Sequence, residues 1–163
     1  MQIISIPILW AVLLCFPLWF IFQSAAAYIC FKLPDKYLDP NNMLFKSRNW
    51  EDNGKIYQKV FRVRKWKKFL PDGGAMIKGG YSKKKLKDYS KESLEEFALE
   101  TCRAELTHVL AILPFWVFGF IAPPIIILFM FIYALAANLP CIITQRYNRN
   151  RIMVLLTKMS NNN

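Results

Sequence analysis

Arg103-Ala104-Glu105-Leu106-Thr107-His108-Val109-Leu110-Ala111-Ile112-Leu113-Pro114 is the stretch where a charged segment gives way to an apolar one. It holds the single histidine of the chain. Residues three apart on a helix are surface neighbours, so Glu105 and His108 share a face, with Arg103 and Thr107 within about one turn of them. An acid, an imidazole and a guanidinium would then meet where a helix enters an apolar medium. Ionisable groups at such depth are costly and mark candidate functional sites.

Outward from this stretch, the apolar residues come in long blocks. Ile3 to Phe31 carries no charge, and Leu106 to Thr144 carries none beyond a possible proton on His108. A core for 163 residues does not need charge-free runs of that length, whereas a bilayer does. The expected class is an all-α integral membrane protein. It would have about three transmembrane helices, with a basic interfacial and cytoplasmic segment between the first and second. As a single membrane domain over 1–163, it divides into a first span (1–31), the interfacial segment (32–104), a helical hairpin (105–144) and a cytoplasmic tail (145–163).

Formal charge is +11, and its distribution decides what it means. Eighteen of the 22 Lys and Arg lie between Lys32 and Arg103, and the rest follow Thr144. Basic loops beside spans mark the cytoplasmic side and attract anionic headgroups. The expected partners are therefore membrane lipids and not nucleic acid, and the expected location is the cell membrane, multi-pass. Cys15, Cys30, Cys102 and Cys141 are scattered, without a CxxC pair, so neither a disulfide framework nor a zinc site is expected.

The first span lacks a basic segment ahead of it and is long for a signal peptide, so it reads as an uncleaved anchor despite Ala25-Ala26-Ala27. Lys32 and Lys36 follow it and place the N-terminus outside. Met43 to Trp50 mixes apolar and basic groups, and Glu51 to Lys55 reads as a break. From Ile56 to Leu70 aromatics alternate with cations. Tyr57 and Phe61 fit a helix, while Phe61-Arg62-Val63-Arg64 fits a strand, and either would suit a membrane surface. Pro71-Asp72-Gly73-Gly74 and Lys78-Gly79-Gly80 read as turns without a nucleotide-binding pattern. Lys83-Lys84-Lys85 reads as a solvated or lipid-facing run. A helix should start near Ser90 or Ser93, with Ser93 and Glu96 at capping-box spacing and a stripe of Leu94, Phe97, Ala98, Thr101 and Cys102. Leu106 to about Ile121 would be a short span, kinked at Pro114, or a re-entrant segment. Ala122-Pro123-Pro124 turns the chain, and Ile125 to Ile143 crosses back.

In this order and spacing, a set of short motifs resembles one family. They are Pro34-Asp35-Lys36-Tyr37, Phe45-Lys46-Ser47, Gly54-Lys55, and Val63-Arg64-Lys65-Trp66-Lys67 with Asp72-Gly73. Arg103-Ala104-Glu105-Leu106 with His108 and Ile112-Leu113-Pro114 comes next. Asn138-Leu139-Pro140 with Gln145-Arg146-Tyr147-Asn148-Arg149 closes the set. From about Leu33 to Arg151 the chain resembles the glycosyl-4,4'-diaponeurosporenoate acyltransferase family of bacterial carotenoid synthesis. The resemblance implies O-acyl transfer from an acyl donor to the glucose primary hydroxyl of a glycosylated C30 carotenoid acid, completing staphyloxanthin-type pigments. It supplies no residue roles, and the assignments that follow rest on chemistry.

Acyl transfer to a hydroxyl needs a base for the alcohol and a donor to the tetrahedral oxyanion. His108 is the candidate base, since imidazole titrates near neutrality. Glu105 is the candidate that fixes its tautomer, and Asn138, amid apolar residues, is the candidate oxyanion donor. Arg103, Arg146 and Arg149 are candidates for the phosphates of the donor, with Tyr147 and Trp66 completing the substrate-binding set. An acyl thioester co-substrate needs no protein nucleophile, in keeping with a chain that has no GxSxG elbow. No cofactor or metal is expected. The structural alternatives are His108 tying two helices, snorkelling or only binding a ligand, a Glu105 pair with Arg103 or Arg146, Asn138 as a helix-packing hydrogen bonder, and the C-terminal arginines as topology determinants. Another lipid-modifying enzyme and a non-catalytic lipid-binding scaffold are the alternative functions.

Overall fold

The structure is a computed structural model and describes residue 4, residues 6–70 and residues 89–161. The turns expected at 71–74 and 78–80 and the lysine run at 83–85 lie outside the described residues. Among the described residues there is no strand. Helices α1 (Ile8–Lys32), α2 (Lys55–Phe61), α3 (Val63–Trp66), α4 (Lys91–Ile112) and α5 (Pro124–Asn161) are joined by 3-10 turns at Asp35–Tyr37, Asn49–Gly54 and Lys67–Phe69. A longer 3-10 helix covers Leu113–Phe120. α1 and α5 are long and apolar enough to cross a membrane.

The chain forms two compact units. The first comprises residues 1–32 and Leu106–Leu139, and the second Leu33–Glu105 and Pro140–Asn163. α4 and α5 each contribute residues to both.

In the first unit, α1 runs antiparallel to the segment after α4. The Ile4 N–H donates to the Phe120 carbonyl, and Gln23 Nε2 donates to the Ala111 carbonyl. Pro114 lacks an N–H and its ring opposes the carbonyl four residues back, so the α-helix ends at Ile112 and the chain continues as 3-10 helix. The segment expected over 106–121 as a short span kinked at Pro114, or as re-entrant, is therefore built of two kinds of helix. The 3-10 part rises about 2.0 Å per residue against about 1.5 Å, so residues 106–120 reach about 26 Å. Ala11, Cys15, Trp19, Phe118, Ala122, Ile126 and Ala134 form the core. Trp19 stacks on Phe118 and meets Tyr133 edge-on. Ile8, Leu9, Phe16, Phe20, Ile125, Leu128, Phe129 and Ile132 face outward and are exposed.

In the second unit, the chain leaves α1 at Lys32, and Pro34 is extended (φ -61°, ψ 143°), its φ fixed by the ring. The Ile56 to Leu70 stretch is helical, not strand. The alternation at Phe61-Arg62-Val63-Arg64 straddles the left-handed Arg62 (φ 51°), which ends α2 and starts α3. Tyr57, Val63 and Tyr147 bury together behind these short helices. Gly54 (φ 84°) lies so close to α5 that a Cβ there would stand 3.1 Å from Asn150 Cβ and 3.3 Å from the Tyr147 carbonyl oxygen. α4 starts one residue after Ser90, whose Oγ accepts from the Ser93 N–H at 3.2 Å. Ser90 is thus the cap, and Ser93 lies inside the helix. The stripe Leu94, Phe97, Ala98, Thr101 and Cys102 is buried, with Leu94, Phe97 and Ala98 packed against Ile152 of α5. α5 continues through Pro140 to Asn161, so the arginines beyond the apolar run belong to the same helix.

Candidate functional site

Two polar centres stand out, one in each unit. In the first unit, α4 carries His108 and α5 carries Asn138. His108 Nδ1 lies 2.9 Å from Asn138 Oδ1. Asn138 is buried, and its Nδ2 donates to the Ala134 carbonyl, four residues back, at 2.9 Å. A carbonyl only accepts, so the amide nitrogen must face Ala134 and the amide oxygen must face the imidazole. In the neutral ring, Nδ1 then carries the proton, and Nε2 carries the lone pair that a base needs. The amide expected at the oxyanion is placed against the imidazole instead.

In the second unit, Glu105 is buried among arginines. Arg146 Nε donates to Glu105 Oε1 at 2.7 Å, and Arg149 Nη2 donates to Glu105 Oε2. Arg146 also donates through Nη1 to Glu51 Oε1 at 2.8 Å and through Nη2 to the Leu44 carbonyl at 3.0 Å. Arg149 Nε reaches the Phe45 carbonyl at 3.1 Å. Glu51 is fully buried and also accepts from the Tyr57 hydroxyl and the Arg48 N–H. Burial alone would raise the Glu51 carboxyl. The hydrogen bonds from Tyr57, Arg48 and Arg146, with the Arg146 charge, outweigh it and hold the group below the usual glutamate range. Burial, and then the hydrogen bond to Glu51 and its charge, push the Tyr57 phenol up. Glu51, Glu105, Arg146 and Arg149 form a neutral quartet, which is how a small domain can hold four charges away from water.

Arg103 makes a separate clamp. It donates through Nη1 to the Leu33 carbonyl at 2.8 Å and through Nε to Glu100 at 2.8 Å, and pairs with Asp35. The three arginines expected at donor phosphates are thus engaged by carboxylates and backbone carbonyls. Of the structural pairs considered for Glu105, the one with Arg146 is present, joined by Arg149. Trp66 Nε1 donates to the Phe61 carbonyl at 2.7 Å, across the break at Arg62. Tyr147 is buried, and its hydroxyl accepts from Arg64 Nε at 2.8 Å and Arg151 Nη1 at 3.2 Å.

The sequence reading missed Glu51, taken as part of a break, and the group around Tyr147. For Glu51 the one local signal is its place three residues after Arg48, whose N–H it caps. For the other group, the signals are the three-residue spacing of Arg64 and Lys67 and the four-residue spacing of Tyr147 and Arg151. Cys102 lies in α4 beside Arg149 and Glu105. Burial pushes its thiol up to about 11, Arg149 pulls it down and Glu105 pushes it up, so it is not a ready thiolate. Among the described residues no group of three or more His, Cys, Asp and Glu is placed to hold a metal.

Comparison with known proteins defines the class, an acyltransferase. The chain belongs to the glycosyl-4,4'-diaponeurosporenoate acyltransferase family, whose model matches residues 41–158. Proteins named glycosyl-4,4'-diaponeurosporenoate acyltransferase from Staphylococcus aureus strains bovine RF122 / ET3-1 and MRSA252 are each 39% identical to it over 142 residues. The matched region covers 87% of this chain and 86% of theirs. No solved structure shows a significant match.

Proposed function

We propose that this protein moves a fatty acyl group from a thioester onto a sugar hydroxyl of a glycosylated carotenoid or related glycolipid, with His108 as general base. The observation that carries the proposal is the 2.9 Å contact between His108 Nδ1 and Asn138 Oδ1, in a chain of this acyltransferase family. With Nδ1–H donated to the amide, Nε2 takes the hydroxyl proton as the sugar oxygen attacks the thioester carbon. The C–O bond forms, the C–S bond breaks, and the imidazolium returns its proton to the leaving thiolate. Atoms and charge balance without an acyl-enzyme. The burial of the four cysteines supports direct transfer, because none is presented as a nucleophile. Asn138 takes the orienting role in this reading. Glu105 takes a scaffold role, supported by its two arginine partners.

The site belongs in a cell membrane crossed more than once. The outward-facing apolar side chains of α1 and α5 support this, since such surface is stable against lipid and costly in water. The antiparallel course of 106–120 beside α1, with its reach of about 26 Å, supports a third crossing of a core about 30 Å thick. The basic flanks put 32–104 and the C-terminal tail inside.

The test is ester formation by purified protein supplied with a fatty acyl thioester and a glycosyl carotenoid, read by mass spectrometry. His108→Ala should lower turnover on the order of 100-fold or more. Near-wild-type turnover in a folded His108→Ala protein would remove the base role, and an acyl-enzyme trapped on any residue would contradict direct transfer.

A further inference from the structure

The second unit contains a cavity of about 770 Å³, within the usual range for small-molecule sites. Neither the proposed base nor the buried quartet lines it. Its lining includes the cations Lys55, Lys59, Arg64, Lys67 and Arg151, and among the described residues no Asp or Glu lines the cavity. The lining also includes the apolar residues Leu94, Phe97, Ile152 and Leu155.

Three of these cations converge on the Tyr147 phenol. Arg64 Nε and Arg151 Nη1 both donate to the Tyr147 hydroxyl, at 2.8 and 3.2 Å. Lys67 Nζ sits 5.1 Å from the centre of the Tyr147 ring and donates to the Asn148 amide oxygen at 2.9 Å. Among the described residues Arg64, Lys67 and Arg151 have no carboxylate partner, in contrast to Arg103, Arg146 and Arg149. The Lys67 ammonium is disfavoured, first by burial and then, against the help of Tyr147, by the Arg151 and Arg64 charges. Three like charges packed together raise one another's energy, and an anion placed among them relieves all three. Two guanidinium forks and an ammonium around one point suit the several oxygens of a phosphate. The apolar lining residues suit an uncharged part of the same ester.

We propose that this cavity binds a phosphate ester, its phosphate among Arg64, Lys67 and Arg151 and an uncharged part of the ester against Leu94, Phe97 and Ile152. Resting on the acyl-transfer reading, the ligand is the thioester donor of coenzyme A type, whose phosphates suit the three cations. An anionic phospholipid shares that chemistry and is the competing source.

Binding tests the site apart from turnover. Coenzyme A is titrated calorimetrically into the detergent-solubilised protein and into Arg64→Gln, Lys67→Gln and Arg151→Gln. Phosphatidic acid is presented to the same proteins in nanodiscs of otherwise neutral lipid. Coenzyme A should bind, each substitution should weaken it about tenfold or more, and His108→Ala should bind it normally. Kinetically, Arg64→Gln should raise KM for the donor while His108→Ala lowers kcat, so the site and the base fail separately. On the unaltered protein, pyrophosphate should raise the unfolding temperature, less so at high salt, which needs no variant to fold. Equal coenzyme A affinity in the wild type and all three variants, or no binding or stabilisation by any phosphate probe, would overturn the site. Phosphatidic acid binding lost in the variants, with no coenzyme A binding to the wild type, would support the phosphate site and overturn the donor assignment.

Discussion

Glu105→Gln separates a scaffold from a catalytic role for the acid that the sequence sets beside His108. The two Glu105 oxygens accept from Arg146 Nε at 2.7 Å and from Arg149 Nη2, and the side chains of Glu105 and Arg149 are 7% and 4% exposed. Glutamine keeps the volume and one acceptor oxygen but turns an amide NH2 toward a guanidinium. The quartet changes from neutral to one net positive charge at a largely buried position. Removing one partner of a buried pair costs about 3–5 kcal/mol, a large part of the roughly 5–15 kcal/mol that holds a domain folded. At about 2–4 °C per kcal/mol, Tm should fall by roughly 6–20 °C. The assay is thermal unfolding in detergent followed by size-exclusion chromatography, with turnover per folded molecule measured well below Tm. Turnover should stay near wild type there. The double variant Glu105→Gln/Arg149→Gln restores neutrality and should lose less stability than the two single changes together. An unchanged Tm with turnover lost would refute the scaffold reasoning and return Glu105 to orienting the imidazole.

Two further outcomes follow from the second unit. The folded pKa of Glu51 lies below its ordinary value of 4.5, so its contribution to stability is fully present above that pH and is lost as pH falls through the depressed value. The stability curves of wild type and Glu51→Gln, separated at neutral pH, should therefore converge below pH 4.5, and parallel curves would contradict the depressed pKa. Gly54→Ala places a Cβ at a φ of 84°, 3.1 Å from Asn150 Cβ and 3.3 Å from a backbone oxygen that cannot rotate away. It should lower stability by about 1–3 kcal/mol in the same unfolding assay, and a wild-type Tm would show that α2 does not pack this closely on α5.

Much of the helical framework was legible in the chain. The charge-free run Ile3 to Phe31 became α1, Pro123 and Pro124 began α5, and the stripe from Leu94 to Cys102 is the buried face of α4. These follow from local rules, since charge cannot enter an apolar medium cheaply and helical periodicity declares a face within a few turns. Pro114 was legible as an interruption. That the chain would continue past it as 3-10 helix beside α1 was not, because the partners there, the Ile4 N–H and the Gln23 side chain, lie far away in sequence.

The candidate site divides on the same principle. The sequence by itself determined that Glu105 and His108 stand on one helix, that His108 is the one imidazole, and that Asn138 is a polar group in an apolar run. Only the tertiary structure decided their partners. Glu105 meets Arg146 and Arg149 across 41 and 44 residues, Arg146 meets Glu51 across 95, and His108 meets Asn138 across 30. Spacing along a helix says which side chains share a face, while the element packed against that face chooses which of them is neutralised, oriented or left to receive a ligand. A buried carboxylate takes the cations that the fold delivers to it, because its desolvation must be offset wherever the compensating charge lies in the sequence.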